Sequence, residues 1–386
     1  MITVIADDLT GAAEIAGVCI RYGLDVAFGI DSIPQKKAAV SIIATDSRSK
    51  TEDEAYQIHL QLANLIISNP ENQILFKKCD SALRGHVLTE LKALSIANQK
   101  NQILLQPCNP SAQRCIRNGS YWIEEHLIET TGFAHDPDFP ATSSTVEKLI
   151  IRNTPINEVT IVCGTPNKSH WEGIYIPDCN SIDDLKKCAK LFHSGIILSG
   201  SSAFFEQILI QEGYTINQEK PTKKINQPTS YLLVSGSTHP ESTRFAKKLE
   251  NSDCPLLLFP DSLLTKETNE SKLTEWVKKL VLIFEEKQKV ILRTSNSIIQ
   301  FENSSKILKN RMSHILQKLL RLTEINELYI EGGATAYDIL QKLNWYDFIP
   351  IAELAPGVIR MQLVSDNTKF ITIKPGSYQW PEKLLQ

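Results

Sequence analysis

The chain has 386 residues, 42% hydrophobic and 22% charged, the composition of an ordinary globular protein. That length allows two domains, or three, each with a core that needs no disulfide or metal staple. Its 41 basic and 44 acidic side chains leave a formal charge of −3, which argues against a polyanion-binding surface of clustered Lys and Arg.

No apolar run approaches the roughly 18 residues of a membrane helix. The start, Met-Ile-Thr-Val-Ile-Ala-Asp-Asp, lacks the basic region of a secretory signal. The cysteines, Cys19, Cys79, Cys108, Cys115, Cys163, Cys179, Cys188 and Cys254, include no C-x-x-C pair. Free thiols in a reducing cytoplasm are therefore expected. The histidines are scattered too, and no H-E-x-x-H occurs.

Short β-branched runs alternate with longer amphipathic ones. Met1–Ala6 reads as a strand and Gly11–Arg21 as a helix, then Val40–Ala44 as a strand, Glu52–Ile67 as a helix and Ile74–Lys77 as a strand. Val87–Ala97 is helical and Ile103–Leu105 strand-like. Such alternation predicts βαβ units and parallel sheets, with near-continuous apolar strands buried on both faces. Gln106–Ser144 breaks the rhythm with prolines, glycines and aromatics, and predicts loops with a hairpin. The rhythm returns at Val159–Val162, Leu185–Phe192, Ile196–Leu198 and Ala203–Ile210.

The polar stretch Gly213–Pro228 reads as an interdomain linker. Beyond it, strands are predicted at Tyr231–Val234, Pro255–Phe259, Val290–Leu292, Leu328–Ile330, Val358–Leu363 and Phe370–Ile373. The expected architecture is α/β in two domains, 1–213 and 231–386, joined by a linker at 214–230. Each is a mostly parallel sheet flanked by helices, with a cleft between the domains. No internal repeat is evident.

Ligands of open α/β sheets bind beyond the carboxyl ends of strands, so residues just past predicted strands matter most. Asp7 and Asp8 follow the first strand, in Ala6-Asp7-Asp8-Leu9-Thr10-Gly11-Ala12; either a helix cap or a proton or hydroxyl acceptor suits them. Asp46 and Arg48 follow the next buried strand. Lys78, Asp80, Ser81 and Arg84 follow another. Asp accepts hydroxyl hydrogens and Arg pairs with carboxylates in a two-donor fork. Three such loops in one domain suit a small polyhydroxylated acid, although each Asp–Arg pair alone reads as a loop salt bridge.

In the second half, Ser235-Gly236-Ser237-Thr238-His239-Pro240 and Gly332-Gly333-Ala334-Thr335 each join a strand to a helix. Small residues there let backbone amides approach a phosphate. Neither is a P-loop or a G-x-G-x-x-G fingerprint. Turns at Pro356-Gly357-Val358 and Lys374-Pro375-Gly376-Ser377 close the chain.

Taken together, these motifs resemble the four-carbon acid sugar kinase family over nearly the whole chain. The A-D-D-x-T-G-A, D-[ST]-R-S and K-x-D-S-x-L-R-G elements stand at Ala6–Ala12, Asp46–Ser49 and Lys78–Gly85, and F-A-x-D-P stands at Phe133–Pro137. S-G-S, G-G-x-T, P-G-V and K-x-G stand at Ser235–Ser237, Gly332–Thr335, Pro356–Val358 and Lys374–Gly376.

The resemblance implies ATP-dependent phosphorylation of a hydroxyl on a C4 sugar acid such as threonate, erythronate or an oxo-tetronate. The N-terminal domain would bind the acid and the C-terminal domain ATP. Positioning, charge neutralisation and a base are what such a transfer needs. Asp8 or Asp80 would take the hydroxyl proton, and Arg48 or Arg84 would hold the substrate carboxylate. Asp7, Asp46, Lys78 and Ser81 would complete the substrate set. Ser235, Gly236, Ser237, Gly332, Gly333, Ala334, Thr335, Gly357 and Gly376 would form the ATP set. Mg2+ is implied by ATP chemistry, with no protein ligand assigned.

A cytoplasmic enzyme with no nucleic-acid or membrane partner is expected, its self-association left open. The other readings are a Rossmann-like dehydrogenase of small hydroxy acids, opposed by the missing fingerprint, and a non-catalytic sugar-acid sensor, opposed by the lack of an appended module.

Overall fold

The computed structural model describes residues 1–68, 74–152, 160–165, 170–216, 228–237, 240–250, 254–260, 263, 270–294, 304–376 and 378–381. The chain divides into two compact units, Met1–Asn217 and Gln218–Gln386. Most of the expected linker, together with Val159, Thr238, His239 and Ser377, lies outside the described residues.

The first unit carries strands β1 (Ile2–Ala6), β2 (Val26–Ile30), β3 (Val40–Ala44), β4 (Ile74–Lys78), β5 (Gln102–Gln106), β6 (Arg114–Arg117), β7 (Ser120–Ile123), β8 (His126–Leu127), β9 (Ile161–Gly164), β10 (Gly173–Pro177) and β11 (Ile196–Gly200). Its helices are α1 (Leu9–Arg21), α2 (Glu52–Ile67), α3 (Val87–Asn98), α4 (Val146–Ile151), α5 (Ile182–Ala189) and α6 (Ser202–Gln211).

Eight strands form one sheet in the order β2-β3-β1-β4-β11-β5-β10-β9, and every pair in it is parallel. Parallel strands need crossovers, which the helices supply. β1, β2, β3 and β11 are buried along their whole length, as expected when helices cover both faces. Phe76 of β4 packs against Phe204 and Phe205 of α6 at centroid distances of 6.1 and 5.0 Å.

The segment after β5 holds the antiparallel β6-β7-β8 sheet and several 3-10 turns. Helix starts follow local chemistry. Asp8 caps α1 by accepting from Gly11 N at 2.9 Å, and Thr51 with Glu54 forms a capping box on α2.

The second unit carries β12 (Tyr231–Ser235), β13 (Leu256–Leu258), β14 (Lys289–Arg293), β15 (Glu327–Glu331), β16 (Asp347–Ala355), β17 (Val358–Leu363) and β18 (Phe370–Lys374), with helices α7 (Pro240–Glu250), α8 (Glu270–Lys287), α9 (Ser304–Leu322) and α10 (Gly333–Leu343). Its order is β13-β14-β12-β15-β18-β17-β16. The first five are mutually parallel, and β17 pairs antiparallel with both β18 and β16. Tyr231, Tyr329 and Trp380 anchor its core, with ring pairs at 5.4 and 5.7 Å.

The two units open with the same strand order. In each, the first strand lies between the third and the fourth, and the second lies outside the third. The crossover from the first strand runs toward one edge and that from the fourth toward the other. Right-handed crossovers then leave these two strands on opposite faces. The gap between their carboxyl ends is the topological switch point, where ligands of such sheets bind.

Candidate active site

Register explains why the first unit gathers its polar loops. Ala6 of β1 pairs with Ala44 of β3 and with Lys78 of β4. Three strands therefore end level, and the residues after them emerge side by side. Thr45 locks this edge, donating its N–H and its hydroxyl to Ala6 O at 2.9 and 2.8 Å.

Arg48 sits at the centre. It donates to Asp7 Oδ2 through Nε (3.0 Å) and Nη2 (2.7 Å), and that Nη2 lies 3.3 Å from Asp8 Oδ1 and 3.8 Å from Asp80 Oδ1. Asp7 is 1% exposed, and its Oδ1 has no hydrogen-bond partner among the described residues. Burial pushes its carboxyl above the usual range, against the pull of Arg48 and Lys77. Asp8 is more open, its side chain 18% exposed. Against the cost of burial, Arg48, Lys78 and the Thr10 hydroxyl hold it below the usual range. Capping and site membership thus coincide in Asp8.

Asp80 and Arg84 form a bidentate pair, Arg84 Nε to Oδ2 at 2.9 Å and Nη2 to Oδ1 at 3.0 Å. Asp80 Oδ2 also accepts from Ala82 N and Arg84 N at 3.1 and 3.2 Å. Burial opposes ionisation, but Arg48 and Arg84 hold Asp80 far below the usual carboxylate range. Arg84 Nη1 donates to Asp136 at 3.2 Å, so all three nitrogens of Arg84 are engaged by protein carboxylates.

Lys78 lies behind, donating to Cys79 O at 2.8 Å, with Glu14 at 3.9 Å. Ser81 accepts from Arg114 Nη1 through its hydroxyl and from the Tyr121 hydroxyl through its carbonyl. The Asp46 carboxylate accepts from Ser49 in its own turn.

The segment between β5 and α4 contributes residues the sequence reading did not select. The guanidinium carbons of Arg84 and Arg114 lie 5.5 and 5.6 Å from the Phe133 ring centroid. Arg114 makes no ion pair among the described residues, unlike Arg48 and Arg84. Asp136 stood inside the F-A-H-D-P element; Arg114 had no periodic or motif signal to mark it.

A buried charged group braces the site. Lys77 Nζ pairs with Glu90 Oε2 at 2.9 Å, and the Ser47 hydroxyl donates to Glu90 Oε1 at 2.6 Å, which fixes the turn bearing Arg48. His59 lies beside them, its Nδ1 donating to Ala55 O at 2.8 Å. Burial, partly opposed by Glu90, pushes its imidazole down to about 4, so it is neutral at pH 7.

The second unit shows a parallel arrangement past β12, β15 and β18. Ser235 is level with Glu331, and Glu331 with Lys374. A Cβ on Gly236 would meet Thr335 Oγ1 at 2.3 Å, and one on Gly376 would meet Ser237 Oγ at 3.2 Å. The structure thus brings Gly236, Ser237, Thr335 and Gly376 together.

Gly332 has φ +101°, a backbone that favours glycine, and it precedes α10, whose first turn holds Gly333 and the exposed Ala334. The glycine-requiring position is therefore Gly332. Gly357 sits in the β16–β17 turn at φ +72° with its N–H donated to Glu353 Oε1 at 3.3 Å; nothing among the described residues links it to the strand-end group.

Beneath these turns, Lys374 Nζ pairs with Glu331 Oε1 at 2.5 Å, and Glu331 also accepts from Ser235 and Ser242 at 2.7 and 2.5 Å. Lys374 and Glu331 are buried; Lys374 stood inside the K-x-G element, and neither was assigned a role from sequence. Among the described residues, no group of three His, Cys, Asp or Glu is placed to hold a metal ion, and no helix is long and apolar enough to cross a membrane. All eight cysteines are free thiols, and only Cys163 is exposed.

The chain thus has two α/β units, one with polar loops and the other with small-residue turns at level strand ends. Residues 2–208 match the family model for a sugar-binding N-terminal domain and residues 232–378 that for a nucleotide-binding C-terminal domain. The chain belongs to the four-carbon acid sugar kinase family.

It is similar to the 3-oxo-tetronate kinase of Actinobacillus succinogenes, 22% identical over 98% of this chain and 96% of that protein. The D-threonate kinase of Salmonella typhimurium is 22% identical over 92% and 89%, and the D-erythronate kinase of Heliobacterium modesticaldum 22% over 89% and 85%. Among solved structures, a Salmonella typhimurium chain described as a candidate tRNA synthase superposes with a TM-score of 0.81 at 16% identity, covering 100% of this chain and 97% of that one. A Haemophilus influenzae protein superposes with 0.73 at 18%, covering 97% and 96%. These two likenesses speak to the fold.

Proposed function

We propose that the protein transfers the terminal phosphoryl group of ATP to a hydroxyl of a four-carbon sugar acid of the threonate, erythronate or 3-oxo-tetronate type, in the cytoplasm. The observation that carries this reading is the level ending of β3, β1 and β4, which sets Asp8, Arg48 and the Asp80–Arg84 pair around one point. Full-length relatives named for such kinases support the substrate class.

Exposure and pairing rank the residues. Asp7 is committed to Arg48 through both Nε and Nη2, so its role is to orient Arg48. Asp80 is committed to Arg84 and is the weakest proton acceptor. Asp8 is fixed by its cap yet open on one side, and is assigned as the acceptor of the substrate hydroxyl proton. Arg114, which has no carboxylate partner among the described residues, and the remaining Arg48 Nη1 are assigned to the substrate carboxylate. Arg84 orders the loop that carries Ser81.

In the second unit, the turns at Ser235–Ser237 and Gly332–Thr335 are assigned to the nucleotide phosphates, with Gly376 beside them. The missing side chains of Gly236 and Gly376 let these turns pack closely on Thr335 and Ser237, and small-residue turns that open a helix suit close approach of a phosphate to backbone amides. Mg2+ would neutralise phosphate charge, held largely by phosphate oxygens and water.

The test is ADP release followed by a coupled assay over C4 sugar acids of each stereochemistry. One or more acids should raise release well above the acid-free rate. If none does, the reading is wrong.

A further inference from the structure

We propose that Arg293 and Thr294, at the carboxyl end of β14, form a phosphate-binding site for the nucleotide. This rests on the reading of the second unit as the ATP-binding one.

Arg293 is 3% exposed and Thr294 also buried. Arg293 Nη2 donates to Thr243 Oγ1 at 2.7 Å and to Ser237 O at 3.3 Å, which places the guanidinium beside the S-G-S turn and the first turns of α7. Its Nε and the Thr294 hydroxyl are both buried without a hydrogen-bond partner among the described residues. Arg293 has no ion-pair partner among the described residues. Glu331, the carboxylate that acts on it from nearby, is already engaged by Lys374, Ser235 and Ser242.

A buried, uncompensated guanidinium is expensive, and Arg cannot escape by losing its proton. Two unpartnered polar groups on successive residues add to that cost. Natural proteins keep such an arrangement where a ligand completes it.

The first unit shows the complete counterpart. Both units have the same opening strand order, and in both an arginine reaches toward the loop after the first strand, Arg48 from the turn that follows the third strand and Arg293 from the last position of the third strand. In the first unit, that loop supplies Asp7, which neutralises Arg48 at 2.7 Å. In the second, the loop reads Ser235-Gly236-Ser237 and supplies no carboxylate. An anion brought from outside would fill the same electrostatic place. A phosphate accepts from both Arg293 and Thr294 and would lie at the positive end of α7.

The experiment is calorimetry on the full chain with ATP, ADP, AMP and inorganic pyrophosphate, alongside thermal unfolding. Arg293→Gln should raise the Kd for ATP and ADP about ten- to a hundred-fold, the usual worth of a charge-assisted hydrogen bond. It should abolish the thermal upshift given by pyrophosphate and leave the ligand-free Tm unchanged or higher, because an unpaired buried charge has gone. Thr294→Val, which keeps the side-chain shape, should weaken ATP several-fold at wild-type stability.

Two outcomes overturn the inference while the nucleotide reading stands. In one, both variants bind ATP as the wild type does. In the other, Arg293→Gln lowers the ligand-free Tm and Thr294→Val leaves ATP affinity unchanged, which makes Arg293 a brace for α7. A wild-type chain that binds neither adenine nucleotide nor pyrophosphate overturns both.

Discussion

Replacing Asp80 by Asn tests whether this carboxylate serves structure or chemistry. Asp80 is buried and accepts four hydrogen bonds, two from the Arg84 guanidinium and two from backbone amides. Removing one partner of a fully buried ion pair costs about 3–5 kcal/mol. The Arg84 side chain is 31% exposed, so water screens part of that loss, and the Asn oxygen still accepts from the amides. A destabilisation of about 2–3 kcal/mol is expected. For a unit of this size, that moves Tm by roughly 4–12 °C.

The pH dependence has a definite sign. Asp80 is held far below its unfolded value of 3.8, so its contribution is complete above that pH and is lost as the solution is acidified below it. The gap between wild type and variant should therefore be constant from pH 7 to 5 and close below about 4. Calorimetric unfolding across that range, with kcat measured on the same samples, is the assay. A variant with wild-type Tm and a kcat lowered a hundred-fold or more would refute the assignment and make Asp80 the base.

Asp8→Asn keeps an oxygen for the Gly11 amide, and Asn is a good cap. Loss of the charge that Arg48 and Lys78 hold ionised should cost some stability, while kcat per folded molecule falls roughly 10²–10⁴-fold. Arg114→Ala should act mainly on KM for the sugar acid in steady-state assays, with Lys a poor substitute for the planar two-donor fork. Gly332→Val forces a branched side chain to φ +101°, and should weaken ATP in calorimetry with sugar-acid binding intact, at a stability cost of about 1–3 kcal/mol. His59 is held neutral down to about pH 4, against 6.5 when unfolded. Stability should therefore fall by at most about 3 kcal/mol as pH drops from 6.5 to 4, and His59→Leu should flatten that slope in urea titrations.

The parallel sheets were readable because fully buried strands are uninterrupted β-branched runs. Val40–Ala44 and Val358–Leu363 match β3 and β17 to the residue. Three strands of the two large sheets escaped. β2 is interrupted by Gly29, and β10 is bounded by Gly173 and Pro177. β16 contains Pro350, which reads as a breaker but is absorbed at a register shift against β17.

Of the polar loops, those ending level strands lay in sequence where the switch-point rule directs attention. Which acid pairs with which base did not, because pairing depends on register across strands dozens of residues apart. Arg114 and Arg293 were invisible for the same reason. The first is delivered by an irregular segment, and the second is the last residue of an otherwise ordinary apolar strand.

The position of β11 has a consequence for how the first unit is made. β11 lies between β4 and β5 and pairs with both, yet it follows β5 by some ninety residues in the chain. A nascent chain that ends before Ile196 holds both strands with an open edge facing a vacant slot. Unpaired, apolar edges recruit other chains. The unit therefore stays prone to association until late in its synthesis, and truncations just short of β11 should aggregate more than those removing α6 alone.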